Sequence, residues 1–130
     1  MDQRTGGCLC GNVRFVAMGP LYRVGLCHCL DCRKHHGALF HASAIYPQEA
    51  VSVTGETRNY AGRCFCPTCG SPVFGRDGDE IGVNLGSFDA PDQFVPTYEL
   101  WTIRRDGWLP PFAPIKPYER DRENPGRTEG

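Results

Sequence analysis

Cys66-Pro67-Thr68-Cys69-Gly70 reads as a two-ligand metal knuckle, with two thiols three positions apart, a proline inside the turn and a glycine to close it. Thiolates hold zinc tetrahedrally at about 2.3 Å, and structural sites collect four ligands as pairs on tight turns. One knuckle is half of such a set, so a second pair must come from elsewhere. Reading outward, Cys8-Leu9-Cys10-Gly11 is the natural partner. Together Cys8, Cys10, Cys66 and Cys69 make a closed structural site that joins the N-terminal strand to the middle of the chain, with a binding free energy that counts towards folding.

A third cluster, Cys27-His28-Cys29-Leu30-Asp31-Cys32, packs three thiols into six residues. Cys27, Cys29 and Cys32 supply three ligands and leave the fourth position unassigned. Two readings stand. Catalytic zinc sites keep that position open; alternatively Cys64, His28, His35 or His36 closes a second structural site. Cys64 alternates with Cys66 along a strand, so one faces the knuckle while the other can face elsewhere. His28 lies between two ligands, where a side chain ordinarily points away from the metal.

The rest of the chain sets the frame. Its 130 residues suit one domain, 1–130, and a core of this size gains from a metal staple. The N-terminus has no basic start followed by an apolar stretch, and no apolar run approaches the ~18 residues of a membrane helix. A soluble, cytoplasmic protein is expected, and in that reducing compartment such cysteine spacing points to metal rather than disulfides. With 14 basic and 15 acidic side chains, the formal charge of −1 offers nucleic acid no general attraction. Alternating and β-branched runs predict strands over 12–17, 22–26, 40–46, 51–54, 63–65, 73–75, 81–85 and 98–103. Only Leu30 to His36, closed by Gly37, reads as a helical turn. Arg76-Asp77-Gly78-Asp79 carries hairpin chemistry. The Pro-rich, charged stretch 110–130 is expected to wrap the surface and then fray.

Three motifs, in order, resemble the glutathione-dependent formaldehyde-activating enzyme family, which includes centromere protein V. Gly6-Gly7-Cys8-Leu9-Cys10-Gly11-Asn12-Val13-Arg14-Phe15 is similar to that family's opening GxCxCGxVR; Cys27-His28-Cys29-Leu30-Asp31-Cys32-Arg33 is similar to its CHCxxCR; Phe65-Cys66-Pro67-Thr68-Cys69-Gly70-Ser71 is similar to its FCxxCGS. The resemblance spans about Gly6 to Trp108. It implies a mainly β, tent-like zinc fold with two zinc ions, one structural at Cys8, Cys10, Cys66 and Cys69 and one catalytic at Cys27, Cys29 and Cys32. It also implies a reaction, the condensation of formaldehyde with glutathione to S-(hydroxymethyl)glutathione, which in reverse is a carbon–sulfur lyase step. Where many relatives place a histidine late in the fold, this chain reads Tyr98-Glu99-Leu100-Trp101.

The chemistry of the cluster agrees with a thiol substrate. A zinc carrying three thiolates is a weak Lewis acid, better suited to presenting a nucleophilic sulfur than to activating water. Addition to formaldehyde leaves an alkoxide that needs a proton, for which His28, His35 and His36 are the nearest candidates by sequence, and His28 joins the three cysteines as the expected catalytic residues. Arg33 and Lys34 can receive a glutathione carboxylate, or else offset the anionic centre or face solvent. Two other functions compete: a non-catalytic zinc module for protein or nucleic acid, with Trp101, Arg104, Arg105 and Trp108 as a stacking patch, and thiol redox or metal handling.

Overall fold

A computed structural model of the chain describes residues 2–123 and 126–129. Two sheets carry the fold. The smaller has three antiparallel strands in the order β1 (Gln3–Gly7), β2 (Arg14–Met18), β5 (Val51–Thr54). The larger contains β3 (Arg23–Cys27), β4 (His41–Pro47), β6 (Arg58–Tyr60), β7 (Arg63–Phe65), β8 (Pro72–Asp77), β9 (Glu80–Asn84), β10 (Tyr98–Leu100) and β11 (Lys116–Pro117). Its spatial order is β11-β10-β3-β4-β9-β8-β7-β6. The only helix longer than a 3-10 turn among the described residues is α1 (Leu30–His36), between β3 and β4. None is long and apolar enough to cross a membrane.

Alternation along the strands builds the core. Phe15 and Ala17 point inward from β2, Ala44 and Tyr46 from β4, and Ile81 and Val83 from β9, while their neighbours face outward. These side chains merge with Val13, Val73, Phe74 and Phe88 into one apolar cluster. An isolated bridge between Gly6 and Phe88 ties the small sheet to the chain after β9. Gly6 is required there, because a Cβ would lie 2.2 Å from the Ser87 carbonyl oxygen and 2.4 Å from the Phe15 ring.

Departures from the sequence expectations have local causes. β1 is polar and glycine-rich, and it is a strand because β2 pairs with its whole length, from Gln3 with Met18 to Gly7 with Arg14. β6 is an exposed edge with no burial pattern to announce it. The hairpin at Gly78 forms, with φ of 59° at that glycine, but its strands run further than expected, to Asp77 and from Glu80. The strand expected over 98–103 stops at Leu100, because Trp101 takes a left-handed conformation (φ 55°) and starts a 3-10 turn. Stretch 110–130 does wrap the surface, and it is tied down rather than frayed wherever it is described: β11 pairs with β10, Tyr118 is buried, and the Thr97 hydroxyl donates to the Glu129 carbonyl at 2.7 Å. Asn124, Pro125 and Gly130 lie outside the described residues.

Candidate metal centres and the adjoining cleft

Cys8 and Cys10 leave the end of β1, in the small sheet, and Cys66 and Cys69 sit in the turn between β7 and β8, in the large one. The four sulfurs lie within 4.8 Å of one another. Cys8 and Cys10 are 3.6 Å apart and Cys10 and Cys66 3.8 Å apart, matching the edge of about 3.8 Å that a tetrahedron of 2.3 Å zinc–sulfur bonds requires. Backbone amides already point at these sulfurs: Val13 N–H donates to Cys8 at 3.2 Å, and Thr68 and Cys69 N–H to Cys66 at 3.4 and 3.5 Å. Such bonds stabilise thiolate charge and orient ligands. Ser71 accepts from Leu9 N–H at 3.1 Å and sits 3.2 Å from Cys69 Sγ, and its hydroxyl is the main cause that lowers the Cys69 thiol to about 5. The chain therefore prepares this quartet for a cation.

Cys27 ends β3, Cys29 caps α1 by accepting the Cys32 N–H at 3.3 Å, and Cys32 stands in the helix's first turn. Gly37 ends α1 with φ of 58°. The three sulfurs again lie within 4.8 Å of one another, and no fourth His, Cys, Asp or Glu among the described residues joins them. A hydrogen bond from Cys27 drives the Cys32 thiol down to about 3 against its burial, with His41 and Cys29 helping, while the same bond and burial push Cys27 up. Three thiolates at this spacing need a cation among them, so the group fits a metal ion.

Cys64 is not the fourth member; it is buried in the core, with its sulfur 3.5 Å from the Asn59 side-chain amide. His28 is fully buried on the side of β10. Its Nε2 meets Glu99 Oε1 at 2.8 Å, Arg105 bridges to the same carboxylate at 3.2 Å, and its Nδ1 has no partner among the described residues. Glu99 stands in the segment where the family resemblance leads one to look for histidine. Arg33 forms a two-pronged contact with Asp106 at 3.2 and 3.3 Å and also donates to the Leu39 carbonyl, fastening α1 to the loop after Arg105. Lys34 is exposed. Trp101 donates its indole N–H to Asp121 at 3.0 Å, and Trp108 is exposed.

The side chain that sequence reading passed over is His41. It opens β4 directly opposite Cys27, so both project from the same face of the sheet. Its Nε2 lies 2.8 Å from Asn84 Oδ1, and its ring contacts Cys32 and stacks on His36 at 4.2 Å. A cleft of about 380 Å³ begins here, lined by Cys32, His35, His36 and His41 and also by Arg63. Its floor includes the paired glycines of β8 and β9, Gly75 and Gly82, which leave backbone uncovered. That volume lies within the ~300–1,000 Å³ of small-molecule sites. Burial, and then the charge of Arg63, lower the His35 imidazole, and burial with His41 and His35 lowers His36 to about 4.

A family model described as glutathione-dependent formaldehyde-activating enzyme matches residues 3–104, which include both cysteine groups and His41. No curated protein matches the chain.

Proposed function

Because the chain belongs to the glutathione-dependent formaldehyde-activating enzyme family, we propose that it is a zinc-dependent carbon–sulfur lyase acting on a thiol–aldehyde adduct, with glutathione and formaldehyde as the components. The observation that carries this reading is the three-cysteine group, whose sulfurs converge without a fourth protein ligand among the described residues and whose Cys32 opens onto a cleft. The four-cysteine group is the structural site in the same reading. A zinc ion held by Cys27, Cys29 and Cys32 would supply the positive charge that keeps an incoming thiol ionised.

In the forward direction the substrate sulfur adds to the formaldehyde carbon. A carbon–sulfur bond forms, the carbonyl π pair moves onto oxygen, and that oxygen takes the proton the thiol released; the lyase direction runs these events backwards. We assign the proton to His41. Asn84 Oδ1 can only accept, so His41 Nε2 carries the hydrogen of the neutral ring and Nδ1 keeps its lone pair. Nδ1 would take the thiol proton and return it to the oxygen. His28, bonded to Glu99 between two ligands, holds the backbone that aims Cys27 and Cys29. We place the reaction in the cytoplasm, where thiols stay reduced.

The test joins metal analysis to exchange spectroscopy. Protein carrying two zinc ions should accelerate the exchange between glutathione, formaldehyde and their adduct in carbon-13 NMR. Cys29→Ser should remove the acceleration and one zinc while the fold persists. Fully loaded protein that leaves the exchange rate at its uncatalysed value sinks the lyase reading.

A further inference from the structure

The cleft beside Cys32 holds a cation without an anion. Arg23, on its wall, is paired with Glu80 at 2.7 and 3.0 Å, and Arg76 donates to Gln48 while lying 4.9 Å from the centre of the Phe74 ring. Arg63 has neither arrangement. Half-buried in the lining it shares with Cys32, it meets no carboxylate at salt-bridge distance and makes no side-chain hydrogen bond among the described residues. Other half-buried guanidiniums do meet carboxylates, as at Arg14 with Asp89, Arg33 with Asp106 and Arg105 with Glu99, while Arg4 lies over the Phe94 ring. A half-buried guanidinium gains from a carboxylate, which it grips with two parallel hydrogen bonds.

Arg63 is also held in place. The turn before it is closed by Gly62 N–H donating to Asn59 Oδ1 at 3.0 Å and by Arg76 N–H donating to the Gly62 carbonyl at 3.0 Å, with Ala61 and Gly62 at φ of 51° and 86°. Its backbone opens β7 opposite Gly75. Through Gly75 and Gly82 the register sets Arg63 level with Ile45, so it projects from the same face of the sheet as Ile45, Ser43 and His41 and lines the cleft with them. Burial first and then Arg63 disfavour charge on His35, and burial with His41 and His35 disfavours it on His36, so positive charge here comes from arginine rather than imidazole.

We infer that Arg63 receives a carboxylate of the thiol substrate in the cleft it lines with Cys32, so that the chain selects anionic peptide thiols over small neutral ones. This rests on the function proposed above, in which the substrate sulfur lies at Cys27, Cys29 and Cys32.

The two are separable in cobalt-substituted protein, where thiol entry is read as a rise in sulfur-to-cobalt charge-transfer absorption. Wild type is titrated with glutathione, with glutathione diethyl ester and with 2-mercaptoethanol, and the glutathione series is repeated on Arg63→Gln and Arg63→Lys, each checked for two cobalt ions per chain. Arg63→Gln should bind glutathione about 10- to 100-fold more weakly, the loss of a charge-assisted pair, and should bind the ester as wild type does. Arg63→Lys should fall between, keeping the charge and losing the fork. Equal affinity of wild type and Arg63→Gln for glutathione overturns the anchor while leaving the thiol site standing. If the variant does not fold, the wild type decides alone, since equal binding of glutathione and its ester also overturns the anchor. A cobalt spectrum unchanged by all three thiols overturns both readings.

Discussion

His36 stacks on His41 with ring centroids 4.2 Å apart and planes 10° from parallel, and it meets His35 edge-on at 4.8 Å. Burial first, then those two neighbours, lower its imidazole from 6.5 to about 4. Below about pH 6.5 the unfolded chain takes up a proton that the folded chain refuses until about pH 4, so stability is lost as pH falls through that window. Three thiolates around a divalent ion carry the same single negative charge as one thiolate beside two thiols, so loading the adjacent cysteines leaves the argument intact. Zinc-loaded His36→Gln should therefore lose less stability than wild type between pH 7 and pH 5 in denaturant melts, and parallel losses would exclude the effect. At this scale the ligand cysteines were legible because each cluster is local in sequence. His41 was not, although the strands expected over 22–26 and 40–46 already brought it near Cys27; only their register puts the two side by side. The pairing of Arg33 was not legible either, since its partner Asp106 comes from 73 residues away.

Among the elements, β10 is the one whose placement the sequence conceals. It lies between β3 and β11 and runs parallel to both, so its register follows from packing rather than from a tight turn. The packing is specific. Tyr98 lays its buried ring over Gly25, where a Cβ would come within 2.2 Å of the ring carbon that bears the hydroxyl. Gly25→Ala should cost about 1–3 kcal/mol through overpacking, read as a lower urea midpoint with little change in slope. It should also weaken metal retention at Cys27, because the displaced strand carries the Glu99 that fixes His28; an unchanged midpoint would show that β10 moves freely. The antiparallel elements were more readable. β2, β4 and β9 announce themselves by alternation, and α1 by its glycine stop, whereas β1 and β6 lack an apolar face and exist only through their neighbours.

Across the whole molecule, the four-cysteine group ties two sheets together, while the three-cysteine group belongs to one β-strand end and one helix. Mild chelation should accordingly withdraw about one equivalent of metal and leave circular dichroism unchanged, whereas exhaustive chelation should unfold the chain. Cys69→Ser should melt well below Cys29→Ser; equal melting temperatures would make both sites structural. The β class and the ligand division were legible because spacing and alternation are properties of short segments. The cleft was not, since its walls come from α1, β4 and β7 and its floor from two glycines that no local pattern connects. The same contrast in ligand spacing orders assembly in time. Cys27, Cys29 and Cys32 can gather around a metal while the chain is still unfolded, because the loop they close is short, but Cys10 and Cys66 stand 56 residues apart and meet only after both sheets have docked. A newly made chain should thus load its three-cysteine group first and its four-cysteine group last, so that rapid mixing of unfolded protein with cobalt gives two absorbance phases and only the slower one tracks the arrival of tertiary structure.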